Sequence, residues 1–175
     1  MRTLVLGGAR SGKSAHGEAL LATGPVRYVA TATRNPTDAD WTARIDAHRA
    51  RRPRDWQTLE SPDLVGLLGA PSDGVPLLVD DLGTWLTAEL DAAQAWQQPR
   101  GSIAPRCSAL VRAVAASTAR LVLVSPEVGM GIIPASPSGR LFRDEIGALN
   151  AAIATECDEV FLVVAGIPLT LKGPQ

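Results

Sequence analysis

The sequence has few cysteines and histidines, and this limits the kinds of site that it can build. Its 175 residues include only two cysteines and two histidines. Cys107 and Cys157 lie far apart, with no Cys-x-x-Cys spacing and no histidine nearby. This pattern excludes a disulfide framework and a zinc site. We therefore expect both cysteines to pack against apolar neighbours as small residues.

Long apolar runs and an excess of charge of one sign are also missing. The formal net charge is −1, so no overall electrostatic field favours nucleic acid or a membrane surface. The apolar run at residues 3–6 is too short for a signal peptide. The longest apolar stretch, residues 160–169, contains Gly166 and Pro168 and is too short to span a bilayer. We expect a cytoplasmic protein with no transmembrane segment and no nucleic acid partner.

The composition is that of an ordinary globular domain, since 46% of the residues are hydrophobic and 20% are charged. Short runs rich in valine and leucine alternate with longer segments that suit helices. The predicted strands are 4–6, 26–30, 76–79, 120–124 and 159–164. The predicted helices are 13–22, 37–51, 83–96, 107–119 and 140–157. This alternation predicts an α/β fold: an open, mostly parallel sheet flanked by helices, of the P-loop NTPase type, in one domain over residues 1–175.

A phosphate-binding motif directly follows the first predicted strand. The motif is Gly7, Gly8, Ala9, Arg10, Ser11, Gly12, Lys13 and Ser14, which has the Walker A spacing. Its glycines let backbone N–H groups surround phosphate oxygens, and the next helix begins where it favours negative charge. We expect Lys13 to reach the terminal phosphates and Ser14 to ligate Mg²⁺. The alternative is a glycine-rich turn that binds nothing.

An acidic pair, Asp80 and Asp81, comes directly after the third predicted strand. A P-loop enzyme usually holds its metal with an acidic residue at a strand end, and Asp80 is the candidate, directly or through a water. Asp81 is the candidate N-cap of the following helix. The alternative is that the pair serves helix capping alone.

The P-loop by itself does not identify a substrate, because switches, motors and small-molecule kinases share it. A Ras-like switch would specify guanine through an Asn-Lys-x-Asp motif, which this sequence does not contain. Motors and transporters of this class generally need more chain than 175 residues. The residues therefore favour a compact phosphoryl-transfer enzyme.

The two histidines have different surroundings. His16 falls in the first turn after the P-loop, and we interpret it as a surface or packing residue. His48 shares a predicted helix face with Trp41 and Ile45, so one reading is a packed histidine. Arginines surround His48 at positions 44, 49, 51, 52 and 54, and they have the alternative reading of a solvated helix face.

The alternative interpretation is that His48 and these arginines act together in catalysis. A neutral imidazole can attack the α-phosphate of a nucleoside triphosphate, expel pyrophosphate and hold the nucleotide as a phosphoramidate. Nearby guanidinium groups would stabilise the phosphate charge and favour the unprotonated imidazole. The spacing alone leaves both readings open.

Further motifs, taken in order, resemble the bifunctional adenosylcobinamide kinase/adenosylcobinamide-phosphate guanylyltransferase family. They are residues 7–14, 28–32, 43–45 with His48, 52–53, Trp56, Glu60, 77–80, 127–134, 142–144, Asn150 and 158–167. The resemblance covers nearly the whole chain, which makes it far more specific than the P-loop.

The resemblance implies two activities and a homotrimer. One activity would phosphorylate the aminopropanol hydroxyl of adenosylcobinamide with ATP or GTP. The other would transfer GMP from GTP to that phosphate through a guanylylated histidine, giving adenosylcobinamide-GDP and pyrophosphate. His48 matches that histidine, and Lys13 is the second catalytic residue. The implied nucleotide contacts are residues 7–14, Thr31, Ala32, Thr33, Arg49, Arg51, Arg52, Glu60 and Asp80, with Mg²⁺ on Ser14 and Asp80.

The sequence departs from the family pattern at two places. Asp81 and Gly83 stand where the pattern has cysteine and threonine, and Pro126 stands where it has asparagine. Proline removes a backbone donor and a side-chain amide. The rival interpretations are a P-loop kinase with a single function, a guanylyltransferase only, and a non-catalytic protein whose interactions depend on nucleotide.

Overall fold

Seven strands form one sheet in the computed structural model, which describes residues 1–32, 43, 52–60 and 62–173. The strands are β1 (Arg2–Gly7), β2 (Arg27–Ala30), β3 (Gln57–Glu60), β4 (Leu77–Asp80), β5 (Leu121–Pro126), β6 (Glu159–Val164) and β7 (Ile167–Lys172). Their order across the sheet is β3-β2-β4-β5-β1-β6-β7. All neighbours pair in parallel except β6 and β7, which form an antiparallel hairpin.

The described α-helices lie between the strands, and two of them have side-chain caps at their starts. They are α1 (Lys13–Leu20), α2 (Leu64–Gly69), α3 (Leu82–Ala92), α4 (Ala104–Ala116) and α5 (Pro137–Glu156), with a 3₁₀ helix at Ala95–Gln97. The Asp81 side chain caps α3, and the Ser136 hydroxyl caps α5. Pro137 takes the first position of α5, where a missing N–H costs no hydrogen bond.

Two apolar clusters cover the two faces of the sheet. Leu4 points into the larger cluster, beneath α3, α4 and α5, and Val5 points into the smaller one, which also holds Leu21 and Tyr28. Both faces are therefore buried, which explains why the central strands are nearly continuous apolar runs. On the α1 face, Gly17 lets the helix approach closely, since a Cβ there would lie 3.0 Å from Val124 Cγ2.

The predicted fold class is confirmed, and each predicted strand corresponds to β1, β2, β4, β5 or β6. The prediction missed β3, β7 and α2. Strand β3 is an edge strand with partly polar sequence, and β7 is exposed along its whole length, so neither is an apolar buried run. The predicted helix at 37–51 lies outside the described residues except for Ala43. Among the described helices, none is both long and apolar enough to cross a membrane.

Candidate nucleotide site

The residues predicted to bind phosphate lie together at the carboxyl ends of the parallel strands. This edge is the usual place for ligands in open α/β sheets. Gly7 ends β1, and Gly12 precedes α1 with a φ of 93°, a conformation that favours glycine. A Cβ on Gly7 would lie 2.3 Å from Ser11 Oγ and 2.9 Å from the Val163 carbonyl oxygen. The loop therefore closes tightly around its own backbone, as a phosphate cradle requires.

The β6–β7 turn supports the P-loop from one side. The Gly166 N–H donates to the Ser11 carbonyl at 2.8 Å, and a Cβ on Gly12 would lie 3.2 Å from the Gly166 Cα. Ala165 and Gly166 both have positive φ, at 51° and 80°. Two consecutive residues of this kind are typical of tight hairpin turns. The antiparallel hairpin thus supports the P-loop through backbone contacts.

Lys13 and Ser14 begin α1 directly after the loop. The Lys13 ammonium group donates to the Gly8 carbonyl at 3.4 Å, which keeps it over the loop. The Ser14 hydroxyl donates to Asp80 Oδ1 at 3.1 Å. Strand β5 lies between β1 and β4, so this hydrogen bond joins the P-loop helix to a strand two places away.

Asp80 is held by a second hydroxyl as well. The Tyr28 phenol donates to Asp80 Oδ2, while Oδ1 accepts from Ser14. Tyr28 is only 1% exposed, and burial together with the negative charge of Asp80 raises the pKa of its phenol. The phenol therefore remains protonated and donates to the carboxylate. Asp80 therefore lies beside the P-loop helix, and its role as a metal ligand stays a prediction.

Asp81 has a different role from its neighbour. Its Oδ1 accepts from the Thr84 backbone N–H at 2.9 Å, which caps α3 as predicted. Its carbonyl oxygen accepts from the Thr31 hydroxyl at 2.7 Å. Burial, and then the charge of Asp80, raise the pKa of the Asp81 carboxyl, while Thr84 and Lys13 partly oppose this. Asp81 therefore stabilises the start of α3 and the position of Thr31.

Four of the remaining residues predicted to contact the nucleotide, Thr31, Ala32, Arg52 and Glu60, are among the described residues. Thr31 and Ala32 directly follow β2, and Glu60 ends the neighbouring strand β3 at the same edge of the sheet. The Arg52 guanidinium carbon lies 3.5 Å from the centroid of the Tyr28 ring, and its Nη1 donates to Thr58 Oγ1 at 3.0 Å. The solvated-face alternative is therefore wrong for Arg52. Thr33, His48, Arg49 and Arg51 lie outside the described residues.

The donor atoms present fit a magnesium ion. Across the described ranges, there is no group of three or more His, Cys, Asp or Glu side chains that could hold a metal. A hydroxyl and a carboxylate do meet, at Ser14 and Asp80. Mg²⁺ prefers such oxygen ligands and usually completes its shell with water and substrate phosphates rather than with a cage of protein ligands. Ser14 and Asp80 are therefore the residues that would hold it.

The two departures from the family pattern contact each other. A Cβ on Gly83 would lie 2.6 Å from Pro126 Cγ, so the glycine leaves the space that the proline ring occupies. Asn150 Nδ2 donates to the Pro126 carbonyl at 3.0 Å, and its Oδ1 accepts from the Ser125 hydroxyl at 2.6 Å. The end of β5 is thus fixed by a side-chain amide from α5, even though residue 126 has none.

Sequence reasoning missed Tyr28 and Thr84. The Tyr28 hydroxyl reaches Asp80 because β2 and β4 are neighbours, a pairing that joins residues far apart in the chain. Thr84 Oγ1 lies 2.5 Å from Thr31 Oγ1. The only signal for Thr84 was its place three residues after a candidate cap. A cleft of about 430 Å³ begins at Thr31 and continues along α3 to Glu89 and Arg106, so the site has room beyond the phosphate loop.

His16 and the two cysteines, which were predicted to be packing residues, do pack against the rest of the protein. The His16 ring packs edge-on against Phe161 at 5.1 Å between centroids, and burial lowers the pKa of its imidazole. Cys107 is partly buried, Cys157 is buried, and both thiols are free. These three residues pack as predicted.

Comparisons with known proteins find similar proteins over nearly the whole chain. A model of the family described as cobinamide kinase / cobinamide phosphate guanyltransferase matches residues 3–171. The bifunctional adenosylcobalamin biosynthesis protein CobP of Pseudomonas aeruginosa is 42% identical, covering 99% of this chain and 98% of its own. The corresponding CobU proteins of Salmonella typhimurium and Escherichia coli are 39% and 38% identical, each covering 98% of this chain and all of their own.

A solved structure shows the same fold at low sequence identity. It belongs to a prototypical ATPase from the type III secretion system of pathogenic bacteria, with a TM-score of 0.53 and 12% identity. The match covers 97% of this chain and 56% of the ATPase chain. At this identity the likeness concerns the fold alone.

Proposed function

The chain belongs to the cobinamide kinase / cobinamide phosphate guanyltransferase family, and we propose that it carries out both reactions with the site built around Ser14 and Asp80. It phosphorylates the aminopropanol hydroxyl of adenosylcobinamide with ATP or GTP. It then transfers GMP from GTP to that phosphate, giving adenosylcobinamide-GDP and pyrophosphate. The observation that carries the proposal is the Ser14–Asp80 hydrogen bond, which supports it because a P-loop enzyme holds its metal with a hydroxyl and a carboxylate of this kind.

In the kinase step, the protein positions the phosphates and stabilises their charge. Backbone N–H groups of the P-loop bind the phosphate oxygens, and Lys13 turns from the Gly8 carbonyl to the terminal phosphates. Ser14 and Asp80 would hold Mg²⁺, which would neutralise charge on the phosphate oxygens. The acceptor oxygen then bonds to the terminal phosphorus and its proton is released to solvent, while the bond to the bridging oxygen breaks and the nucleoside diphosphate leaves.

In the guanylyl step, His48 is the proposed nucleophile. A neutral ring nitrogen bonds to the α-phosphorus of GTP, and the bond to the bridging oxygen breaks to release pyrophosphate. A phosphate oxygen of the acceptor then displaces the histidine, so the phosphorus–nitrogen bond breaks and the imidazole is regenerated. Two in-line displacements retain configuration at phosphorus. Arg52, four positions after His48, supports this proposal because its guanidinium lies over Tyr28, which holds Asp80.

The deciding experiment traps the nucleotide on the enzyme. The protein is incubated with GTP labelled at the α-phosphate, and the label is tested for the acid lability and base stability of a phosphoramidate. We expect label on the wild type and on His16→Ala, and none on His48→Ala, which keeps its kinase activity. His16→Ala is the matched control because this histidine packs against Phe161.

Other outcomes identify the rival functions. Phosphorylation of adenosylcobinamide without any label indicates a single-function kinase. Label without phosphorylation indicates a guanylyltransferase only. Binding of GTP with no consumption of adenosylcobinamide indicates a nucleotide-dependent interaction protein. The homotrimer implied by the family resemblance belongs to the same proposal, and sedimentation equilibrium of the full chain tests it.

A further inference from the structure

A short loop after β5 exposes an unusual group of large apolar side chains. Val128, Met130, Ile132 and Ile133 are 37%, 78%, 96% and 66% exposed. Burying such side chains is favourable because it removes apolar surface from water. Clustered exposed apolar side chains commonly mark a binding surface. We call residues 128–134 the apolar loop.

Hydrogen bonds anchor the apolar loop at both ends. At its start, Glu127 Oε1 accepts from the Gly129 N–H at 2.5 Å. At its end, Arg140 Nη1 donates to the Pro134 and Ala135 carbonyls at 2.9 and 2.6 Å. The apolar side chains therefore project from an anchored backbone, and binding there requires little ordering of the loop.

The loop begins beside the phosphate site. The Glu127 backbone N–H donates to the Gly7 carbonyl at 3.0 Å, so the residue before Val128 touches the first residue of the P-loop. The Ser14–Asp80 pair, which the proposed function assigns to the metal, lies on the β4 side of β1, and β5 is the strand between β1 and β4. The apolar loop, which follows β5, therefore begins at the same edge of the sheet as the proposed phosphate site.

We infer that the apolar loop binds the corrin ring of the acceptor, with Met130, Ile132 and Ile133 against its apolar face. This inference rests on the proposed function, which requires a large acceptor whose hydroxyl arm reaches the phosphate site. A corrin macrocycle is a broad apolar surface edged by methyl groups and amide arms, and it matches a patch of Met and Ile side chains. The loop that carries this patch starts next to Glu127, which is bonded to the P-loop, and this fits a bound acceptor better than a remote partner.

A second exposed apolar row provides a matched control. Leu169 and Leu171 on β7 are 49% and 59% exposed, and β7 lies at the opposite end of the sheet order from β3, next to β6. The experiment compares the variant Ile132→Ser/Ile133→Ser with Leu169→Ser/Leu171→Ser. Both variants remove two exposed apolar side chains, and only the first pair lies in the apolar loop.

Steady-state phosphorylation separates the acceptor from the nucleotide. For the loop variant we expect KM for adenosylcobinamide to rise at least tenfold, with KM for the nucleotide within twofold of wild type. The β7 variant should keep the wild-type acceptor KM. Labelling by α-labelled GTP needs no acceptor, so it should be unchanged in the loop variant, and this arm tests the proposed function separately.

Two results would overturn the inference. One is an acceptor KM that stays within twofold in the loop variant; if its oligomeric state changes at the same time, the loop contacts a second copy of the chain. The other is an equal rise in acceptor KM in both variants, which would show that the effect does not belong to the loop. Failure of wild-type protein to phosphorylate adenosylcobinamide would instead contradict the proposed function.

Discussion

The two flanks of the P-loop are built from different kinds of contact. On the β6–β7 side, Gly12 and Gly166 approach closely, and the Gly166 N–H donates to the Ser11 carbonyl at 2.8 Å. On the β4 side, the contacts are polar side chains, with Asp80 accepting from Ser14 and Tyr28. One flank therefore depends on the absence of side chains, and the other depends on their charge and hydrogen bonding.

This difference suits what each flank has to do. A backbone cradle needs its shape preserved, because a displaced N–H group no longer points at a phosphate oxygen. A metal-binding flank needs an ionised carboxylate that is held at the P-loop. We expect the first flank to tolerate no added volume, and the second to respond mainly to changes of charge or of hydrogen-bond donors.

The largest expected effect is on the close-packed flank. In Gly7→Ala, the new Cβ would lie 2.9 Å from the Val163 carbonyl oxygen, a backbone atom that cannot rotate away. We expect the free energy of unfolding to fall by about 1–3 kcal/mol. Nucleotide affinity should fall at least tenfold as the loop shifts. Denaturant melts and nucleotide titration measure the two effects.

Gly147→Ala is the matched control for this variant. Gly147 lies within α5 and has nothing within 4 Å of the Cβ position. The substitution should leave nucleotide affinity unchanged and raise stability by up to about 1 kcal/mol, because alanine favours the helix. Equal losses in Gly7→Ala and Gly147→Ala would contradict the idea of a close-packed cradle.

The next largest effect is expected at Gly83, where close packing against Pro126 leaves no room for a side chain on the polar flank. Gly83→Thr places a Cβ 2.6 Å from Pro126 Cγ, and we expect a loss of about 1–2 kcal/mol in unfolding free energy. Adding Pro126→Asn removes the ring and should recover most of that loss. A double-mutant cycle in urea measures the coupling. Additive effects would show that the two positions are independent.

A smaller effect is expected where one donor is removed. Tyr28→Phe deletes the phenol that donates to Asp80 and leaves the buried ring in place. The loss in unfolding free energy should be about 1 kcal/mol, the net value of one hydrogen bond. Asp80 keeps its bond to Ser14, so the enzyme should retain activity with a changed Mg²⁺ dependence. Mg²⁺ titration of kinase turnover checks this, and a complete loss of activity would contradict it.

The smallest effect concerns the pH dependence of Asp81. Burial and the Asp80 charge raise the pKa of this carboxyl. A raised carboxyl pKa contributes stability that is fully present below the pKa of the unfolded chain, about 4, and is lost as pH rises through the folded pKa. Asp81→Asn keeps a cap oxygen for Thr84 and cannot ionise. The variant should therefore gain stability relative to wild type as pH rises from about 4 towards neutrality.

Urea melts at several pH values measure this difference. Asp80→Asn serves as a control, since it removes the neighbouring charge and should weaken the pH dependence that Asp81 introduces. If the stability difference between wild type and Asp81→Asn does not change with pH, the pKa of the Asp81 carboxyl is not raised in the folded protein.

Sequence patterns predicted the central sheet well because its strands are buried on both faces. Strands β1, β4 and β5 read as Val- and Leu-rich runs for that reason. Strand β7 escaped prediction because all six of its residues are exposed and it is stabilised by pairing with β6. Where stability comes from pairing rather than burial, the sequence carries little signal.

The candidate site was predictable to a similar extent. The P-loop follows from spacing, because glycines and a lysine at fixed positions are what a phosphate cradle needs. The role of Tyr28 did not, since its partner Asp80 is 52 positions away in sequence. The Gly83–Pro126 contact likewise joins two elements, and each residue alone looked like an unrelated departure from the family pattern.

The sequence by itself determined the fold class, the phosphate loop at residues 7–14 and the acidic pair after the third predicted strand. These are local patterns of burial, spacing and backbone freedom, which need no knowledge of distant neighbours. Only the tertiary structure decided that Asp80 faces Ser14 while Asp81 caps α3, and that an apolar loop adjoins the phosphate site. Those choices depend on which strands become neighbours, and strand pairing brings together residues whose sequence separation hides their contact.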